Sequence, residues 1–248
     1  MSQQVIVDRD LEFRGAALYQ ANVKGPMMSE LKIFDETFFA DADEHDWTET
    51  AYGTTFAHAA LEGGATTVTA GGVDDDCGEF TNTAQWSPYR NCGMEVWLKI
   101  SQITAINVCA GFADVITNTD DRVAMEFDGA VLKALTNTKD VAGFMFDTDG
   151  SGAAVWYYVV AEGGVVGTVV AATGTRVPVA DTYVKLRVQT DSDGNVTYYY
   201  NGIPVGFKTE AVASSATDLL TPYVGFISRS TAAAVCTVSR IVTWQDGV

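Results

Sequence analysis

The chain has 248 residues, of which 47% are hydrophobic, and a formal net charge of −17 at pH 7. This length and composition are typical of a globular protein that buries its core without a disulfide or a metal ion. The acidic charge argues against binding to nucleic acid or to an anionic membrane, because both contacts depend on Lys and Arg.

Residues 1–34 differ from the rest of the sequence. Their basic and acidic residues balance, whereas residues 35–248 carry the whole charge of −17. Short apolar clusters are interrupted by Gly25-Pro26, and no signal peptide is visible, so we expect synthesis in a cytoplasm. Two interpretations stay open: an edge strand with a loop, or an extended arm that docks on a partner. For the arm, the predicted contact residues are Val5, Ile6, Val7, Leu11, Phe13, Leu18 and Tyr19.

Residues 35–248 contain the predicted strands. In the segment from Met94, Val96, Leu98 and Ile100 alternate with Trp97, Lys99 and Ser101, which indicates a strand with one buried face. Further short strands follow, and Gly163-Gly164 predicts a hairpin turn between two of them. The sequence shows no segment with the periodicity and length of a helix.

The C-terminal third predicts a three-stranded meander. Val184, Leu186 and Val188 alternate with Lys185, Arg187 and Gln189, as in an antiparallel strand with one solvated face. Turns are predicted at Asp193-Gly194 and at Asn201-Gly202. A dozen or more short strands at this spacing predict an all-β protein with two antiparallel sheets packed as a sandwich.

The segments EVWLKISQITAINVCAGFAD, VKLRVQTDSDGNVTYYYNGIPV, LLTPYVGF and VSRIVTW resemble the strands of the concanavalin A-like jelly roll, the fold of legume lectins, laminin-G modules and family-16 glucanases. The resemblance implies a jelly-roll domain at 35–248, preceded by the arm. The arm followed by a sandwich also resembles capsid decoration proteins of tailed bacteriophages. Fold resemblance speaks to architecture more than to activity.

Glucanases of this fold carry three acidic residues spaced ExDxxE on one strand, and legume lectins bind metals through a similar strand. The segment VAMEFDGAV supplies Glu126 and Asp128, but Val131 stands at the third acidic position. Where the lectin resemblance implies further ligands, the sequence has Leu132, Asn137 and Ala142. We therefore expect no catalytic residues, no metal and no cofactor, and we interpret Glu126 and Asp128 as solvent-facing.

Other polar residues have weaker signals. The loops that begin at Asp147 and Asp191 lack the Glu that an EF-hand needs at position twelve, so we interpret them as Asp-Gly turns. The run 74–76 is expected to be a solvated loop, and His58 a core or interface residue. Cys109 and Cys236 are predicted to be buried thiols, and whether Cys77 and Cys92 pair stays open. For the tyrosines at 157–158 and 198–200, sugar stacking and core or oligomer packing both stay open.

From these observations we expect a non-enzymatic virion protein on the capsid surface, made in the host cytoplasm. The arm would dock on the major capsid protein, and the protein would form a homo-oligomer, preferably a trimer, because capsid lattices offer threefold positions. The alternative is a carbohydrate-binding, lectin-like module with weak glycan affinity. Nucleic acid and membrane are not expected as partners.

Overall fold

The structure is a computed structural model. It describes residues 31–37, 47–59, 64–114, 123–128, 131–134, 140–150, 155–172, 174, 176–209 and 218–246. These residues form strands, turns and loops, with no helix among them, and two eight-stranded sheets pack face to face. The prediction of an all-β, two-sheet antiparallel jelly-roll sandwich is confirmed. Among these described residues, no helix is long and apolar enough to span a membrane.

The first sheet has the strand order β16-β15-β14-β6-β18-β4-β3, and β1 pairs with the far half of β18. Its strands are β1 (Leu31–Glu36), β3 (Thr54–Ala59), β4 (Ala65–Ala70), β6 (Gly93–Ile100), β14 (Val184–Thr190), β15 (Val196–Tyr200), β16 (Ile203–Lys208) and β18 (Val235–Asp246). Residues 31–34, which the sequence analysis placed in the arm, therefore belong to a strand of the sandwich. This segment pairs with β18 through the backbone, and Phe34 packs against the core, edge-on to Trp86.

The second sheet has the order β12-β11-β10-β7-β17-β5-β2, and β13 pairs with β11. Its strands are β2 (Thr48–Tyr52), β5 (Cys77–Thr81), β7 (Ile106–Ala113), β10 (Val141–Asp147), β11 (Tyr157–Glu162), β12 (Val165–Val166), β13 (Val170–Ala171) and β17 (Thr221–Ser228). A separate hairpin of β8 (Met125–Asp128) and β9 (Val131–Ala134) completes the described strands.

The predicted turns occur where the sequence places them. Gly163 and Gly164 both have positive φ, at 57° and 81°, and they connect β11 to β12. Asn201 and Gly202 also have positive φ, at 49° and 79°, and they connect β15 to β16. Two central residues with positive φ suit the twist of a tight hairpin, and Gly and Asn adopt that conformation at low cost. The three-stranded meander is thereby confirmed.

The alternation predicted for β6 and β14 is correct except at Arg187. Val96, Leu98 and Ile100 are buried between the sheets. Arg187 was expected in solvent, but it is only 6% exposed, because its guanidinium carbon lies 3.6 Å from the ring centroid of Tyr199. Long cationic side chains bury apolar stems in this way while the charge lies over an aromatic ring.

The core between the sheets is rich in aromatic side chains. Phe144 meets Tyr198 edge-on at 5.6 Å between ring centroids, and Tyr158 stacks on Tyr198 at 4.9 Å. The Tyr198 hydroxyl donates to the carbonyl of Val159 at 2.7 Å, which satisfies the only polar atom of that side chain. Each large side chain buried here contributes about 1.5–3 kcal/mol through removal of apolar surface from water.

A second apolar cluster lies on the opposite face of the second sheet. Val123, Met125 and Phe127, from β8 and the residues before it, pack there against β17 and β10. A Cβ on Gly225 would lie 2.6 Å from the Val123 side chain, so β8 approaches the sheet closely only because this strand residue is glycine. Through this contact one face of the sheet is covered by the hairpin.

Candidate functional site

The seven arm residues proposed to contact a partner, Val5, Ile6, Val7, Leu11, Phe13, Leu18 and Tyr19, lie outside the described residues. His45 lies outside them as well. His58 is exposed on β3, with Nε2 3.4 Å from Glu49 Oε1, so it does not lie in the core, and its alternative role as an interface residue stays a prediction. Strand β3 is an edge strand, and this explains why an alternating apolar pattern there does not bury the histidine.

The structure brings together acidic residues from three segments that are far apart in the sequence. Arg229, at the end of β17, lies among them. Its Nη2 is 2.9 Å from Asp147 Oδ2 and 3.2 Å from Glu126 Oε2. Its Nη1 is 3.4 Å from Asp75 Oδ1, and its Nε is 3.5 Å from Asp149 Oδ2. Glu126, interpreted above as solvent-facing, is therefore partly buried in an ion-pair network that holds β8 against the sheet.

Asp147 is the buried centre of this network. Besides Arg229, it accepts hydrogen bonds from Asn107 Nδ2 at 2.8 Å, from the Phe127 amide at 2.7 Å and from the Asp149 amide at 3.1 Å. Burial lowers the pKa of Arg229, but the hydrogen bond and charge of Asp147, with Asp149 and Glu126, outweigh it and raise the pKa overall. The carboxylate oxygens of Asp147 are thus satisfied by the chain itself.

The remaining acidic loop behaves as an Asx turn. Asp191 Oδ1 accepts from the amides of Asp193 and Asn195 at 2.9 and 3.0 Å, which outweighs burial and lowers the pKa of Asp191. Gly194 follows with a φ of 79°. In the part of the chain that the structure describes, no three His, Cys, Asp or Glu side chains are arranged to hold a metal ion.

Glu79 is a buried acid on the face of the second sheet that also bears Tyr223. Glu79 is 4% exposed, its Oε2 has no hydrogen-bond partner among the described residues, and burial raises its pKa to about 7. Tyr223 is fully buried, and burial, followed by Cys109 and Glu79, raises its pKa. Neither side chain reaches solvent.

All four cysteines are buried free thiols, as predicted for Cys109 and Cys236. Cys77 belongs to the cluster beneath the hairpin, whereas Cys92 belongs to the core between the sheets. Burial raises the pKa of the Cys92 thiol to about 12, so it is a poor nucleophile. Among the tyrosines, Tyr158 and Tyr198 are buried in the core, Tyr200 is half-buried and packs against it, and Tyr199 is half-buried beside Arg187.

A pocket at one end of the first sheet combines buried donors with an exposed aromatic rim. It has a volume of about 60 Å³. Its lining residues come from the end of β6, the segment before β14 and the turn after β15: Leu98, Lys99, Ile100, Trp156, Pro178, Val179, Thr182, Tyr183, Val184, Tyr200 and Asn201. Trp156 is fully buried, and its indole N–H has no acceptor among the described residues. At the rim, Tyr183 is 41% and Val179 is 62% exposed.

The positions of these residues follow from backbone contacts. The Asp181 amide donates to Ile100 O at 2.7 Å, which folds the segment before β14 over the end of β6. The Trp156 amide donates to Arg176 O at 2.8 Å, so the two residues adjoin. The sequence analysis singled out Tyr200 but missed Trp156, Arg176 and Tyr183. Apolar Val177 and Val179 in an otherwise loop-like segment were the available signal.

The charge at this pocket differs from that of the whole protein. Lys99 is the only charged residue among the described lining residues, and its Nζ is 5.3 Å from the Tyr183 ring centroid. The Arg176 guanidinium lies 5.4 Å from the ring centroid of Tyr200. Burial raises the pKa of Tyr200, and Arg176 partly offsets this. The arrangement places positive charges beside two aromatic rings.

Comparisons with solved structures identify the same architecture in carbohydrate-related proteins. The carbohydrate recognition domain of Emp47p is similar with a TM-score of 0.59 and 11% identity, over 90% of this chain and 100% of that one. The Bacillus licheniformis β-glucanase has a TM-score of 0.57 and 12% identity, over 85% and 97%. The Trichoderma reesei endo-β-1,4-glucuronan lyase has 0.59 and 9%, over 86% and 94%. No family model and no curated protein matches the sequence.

These similarities are shared folds, and they overturn the prediction that the chain is not an enzyme. A glucanase and a lyase have the same sandwich, so the fold is compatible with catalysis. The prediction relied mainly on the segment VAMEFDGAV, in which Val131 stands at the third acidic position. A missing motif on one strand does not test the rest of the surface, since one fold hosts many kinds of site.

Proposed function

We propose that the protein binds carbohydrate at the pocket above Trp156. The observation that carries the proposal is Trp156, a lining residue of the pocket whose buried indole N–H has no acceptor among the described residues. A buried donor without a partner costs about 1–3 kcal/mol, and a ligand oxygen that reached this N–H from the pocket would recover much of that cost.

Sugars match the chemistry of this site. Their hydroxyl and carbonyl oxygens accept hydrogen bonds, and the apolar faces of their rings pack on aromatic side chains such as the exposed Tyr183. A concave site with apolar walls and a few converging polar groups is the usual form of a small-molecule site. The names of the Emp47p domain, the β-glucanase and the glucuronan lyase refer to carbohydrates, and this also supports carbohydrate binding.

The test is a titration monitored by nuclear magnetic resonance. The chain has five tryptophans, hence five indole N–H signals, and Trp156→Phe and Trp86→Phe assign two of them. Trp86 is an internal control, because it is also fully buried with an unpartnered indole N–H but does not line the pocket. We expect an oligosaccharide to shift the Trp156 signal and not the Trp86 signal. If no oligosaccharide in a broad panel shifts Trp156, the proposal fails.

The second candidate is the virion role expected from the sequence. Residues 1–34 would dock on the major capsid protein of a bacteriophage, and a homo-oligomer, preferably a trimer, would present several arms together. Residues 1–34 carry no net charge, whereas residues 35–248 carry −17. This difference favours the virion role, because an uncharged arm contacts a capsid without electrostatic repulsion. Several weak arms in one oligomer gain about 10²–10⁴ in avidity.

Because Leu31–Glu36 forms β1 in the sandwich, the truncation that tests this role removes residues 1–30 only. We expect the truncated protein to keep its thermal unfolding transition and to lose binding to purified phage capsids, with light scattering reporting the oligomeric state of both proteins. Undiminished capsid binding after truncation would refute docking through the arm.

A further inference from the structure

We propose that the outer face of the first sheet, outside the pocket, binds the acidic groups of an anionic polysaccharide. Four basic side chains of β6, β14 and β18 lie on this face, each beside an aromatic ring: Lys99, Lys185, Arg187 and Arg240. We call these four side chains the basic face. The inference adds a second surface to the molecule, and it rests on the proposed function only for the choice of a glycan as the ligand.

The strand register places these cations side by side. Lys185 and Arg240 are the cross-strand neighbours of Trp97, one on each side of it. The Lys185 Nζ and the Arg240 guanidinium lie 5.4 and 5.2 Å from the Trp97 ring centroid. Arg187 is two residues from Lys185, and Lys99 is two residues from Trp97, so they point to the same side of the sheet. Such positions are about 7 Å apart along a strand, and the four cations therefore share one small surface.

A ligand can reach this face from solvent. The side chains of Lys185 and Arg240 are 34% and 21% exposed, and Lys99 and Trp97 are half-buried. Arg187 is buried, so it contributes charge rather than a direct contact. Because the cations lie against aromatic rings, their positions are restricted before a ligand arrives, and binding costs less side-chain entropy.

The basic face also differs in charge from the rest of the chain, whose net charge is −17. Two acids lie among the four cations. Glu95 Oε2 is 3.7 Å from Lys185 Nζ, and Asp35 Oδ2 is 2.5 Å from Arg240 Nη2. Burial raises the pKa of Glu95, against the opposing charges of its basic neighbours. A third acid on this side, Asp246, lies at the end of β18, away from these cations. The basic face therefore has a small surplus of positive charge.

A small surplus favours a ligand whose acidic groups are widely spaced. A nucleic acid strand carries one phosphate for about every 3.4 Å, and a body of −17 repels so dense a charge. A polysaccharide can carry carboxylates or sulfates at longer intervals, and both groups accept charge-assisted hydrogen bonds from Lys and Arg. Lys99 also lines the pocket above Trp156, and its Nζ lies 5.3 Å from the ring centroid of Tyr183 at the rim. A glycan chain held at the pocket would therefore continue onto the basic face.

The experiment uses three polymers of matched length with one backbone: dextran, carboxymethyl dextran and dextran sulfate. Calorimetric titration of the full chain at low salt should show at least about tenfold tighter binding of an acidic form than of dextran, since charge-assisted hydrogen bonds suffice for that factor. Raising the salt from about 50 to about 200 mM should weaken this binding by about tenfold, because exposed charges are screened and counterions compete. The acidic form that binds more tightly identifies the acidic group.

Two results would overturn the proposal. The first is equal affinity for dextran and for both acidic forms, which would mean that the charge has no part in binding. The second is binding of single-stranded DNA or polyglutamate as tight as that of the acidic dextrans, which would indicate a surface for polyanions in general.

The indole signals separate this proposal from the one for the pocket. Acidic dextran should shift the Trp97 signal, assigned with Trp97→Phe, whereas neutral oligosaccharides should shift Trp156 alone. A shifted Trp97 with an unshifted Trp156 across the glycan panel overturns the pocket and leaves the basic face in place. A shifted Trp156 with no response of Trp97 to either acidic dextran overturns the basic face and leaves the pocket in place.

A matched pair of variants locates the effect. Lys185 is not among the lining residues of the pocket, so Lys185→Gln should weaken binding of acidic dextran by several fold without changing the Trp156 response. Lys133→Gln removes the same charge from an exposed lysine of β9, in the hairpin that covers the second sheet, and should leave the affinity unchanged. Equal losses in the two variants, in proteins whose circular dichroism shows them folded, would overturn the assignment to the basic face.

Discussion

The cluster around Arg229 and the pocket above Trp156 both hold polar side chains below the surface, but different partners satisfy them. In the cluster, the chain supplies every acceptor and donor that Asp147 uses. At the pocket, the indole N–H of Trp156 meets no acceptor among the described residues. A buried network that is complete stabilises one conformation, whereas an incomplete one has capacity left for a ligand. By this criterion the more charged region is structural, and the less charged one is the proposed binding site.

The largest expected effect comes from removing the guanidinium at the cluster. Arg229→Met leaves Asp147 buried without its counterion, so we expect a loss of about 3–5 kcal/mol in the free energy of unfolding, measured by urea denaturation. As a control, Asp75→Asn removes an exposed partner of the same arginine and should cost about 0–1 kcal/mol. A loss below about 1 kcal/mol for Arg229→Met would mean that the network does not hold the hairpin in place.

The next effect concerns Glu79, a buried acid that has no ion-pair partner among the described residues. Its folded pKa of about 7 lies above the usual 4.5, so between these values the folded state keeps a proton that the unfolded chain has released. The free energy of unfolding should therefore fall as pH rises from about 4.5 to about 7, by roughly 3 kcal/mol in total.

Glu79→Gln should abolish that fall, because glutamine stays neutral at every pH. Denaturation curves of the two proteins should converge below about pH 4 and differ most at about pH 8, where the variant is the more stable. An unchanged pH dependence in Glu79→Gln would assign the effect to another group.

The sequence predicts the architecture well where local chemistry determines it. Asn201-Gly202 and Gly163-Gly164 determine tight turns through their own backbone preferences, and Val184, Leu186 and Val188 reveal a buried face by alternation. Such features depend on neighbouring residues only. The meander, the hairpin and the two-sheet class could therefore be predicted from the sequence alone.

The sites depend on contacts between distant residues, and local patterns do not report those. Arg229 contacts acids that are 82, 103 and 154 residues away in sequence. Each acidic segment taken alone is typical of a turn, of an incomplete metal-binding strand or of a solvated loop. Trp156 likewise lies in an apolar run that is indistinguishable from core, and only the folded chain shows that its N–H lacks an acceptor.

The smallest expected effect comes from the same substitution, arginine to methionine, at Arg176 near the pocket above Trp156. It tests the comparison between the cluster and the pocket. Arg176→Met removes a guanidinium that makes no ion pair with any described residue, so no carboxylate is left without its counterion. The loss is limited to the contact with Tyr200, about 0.5–1 kcal/mol, and methionine retains much of the apolar stem. Affinity for an oligosaccharide that binds at the pocket should nevertheless fall by several fold, because the guanidinium of Arg176 lies over Tyr200, which lines the pocket. Urea denaturation and calorimetry on one protein sample measure both quantities.

If Arg176→Met costs as much stability as Arg229→Met, its guanidinium is a structural partner like that of Arg229, and the distinction between a complete and an incomplete network does not hold.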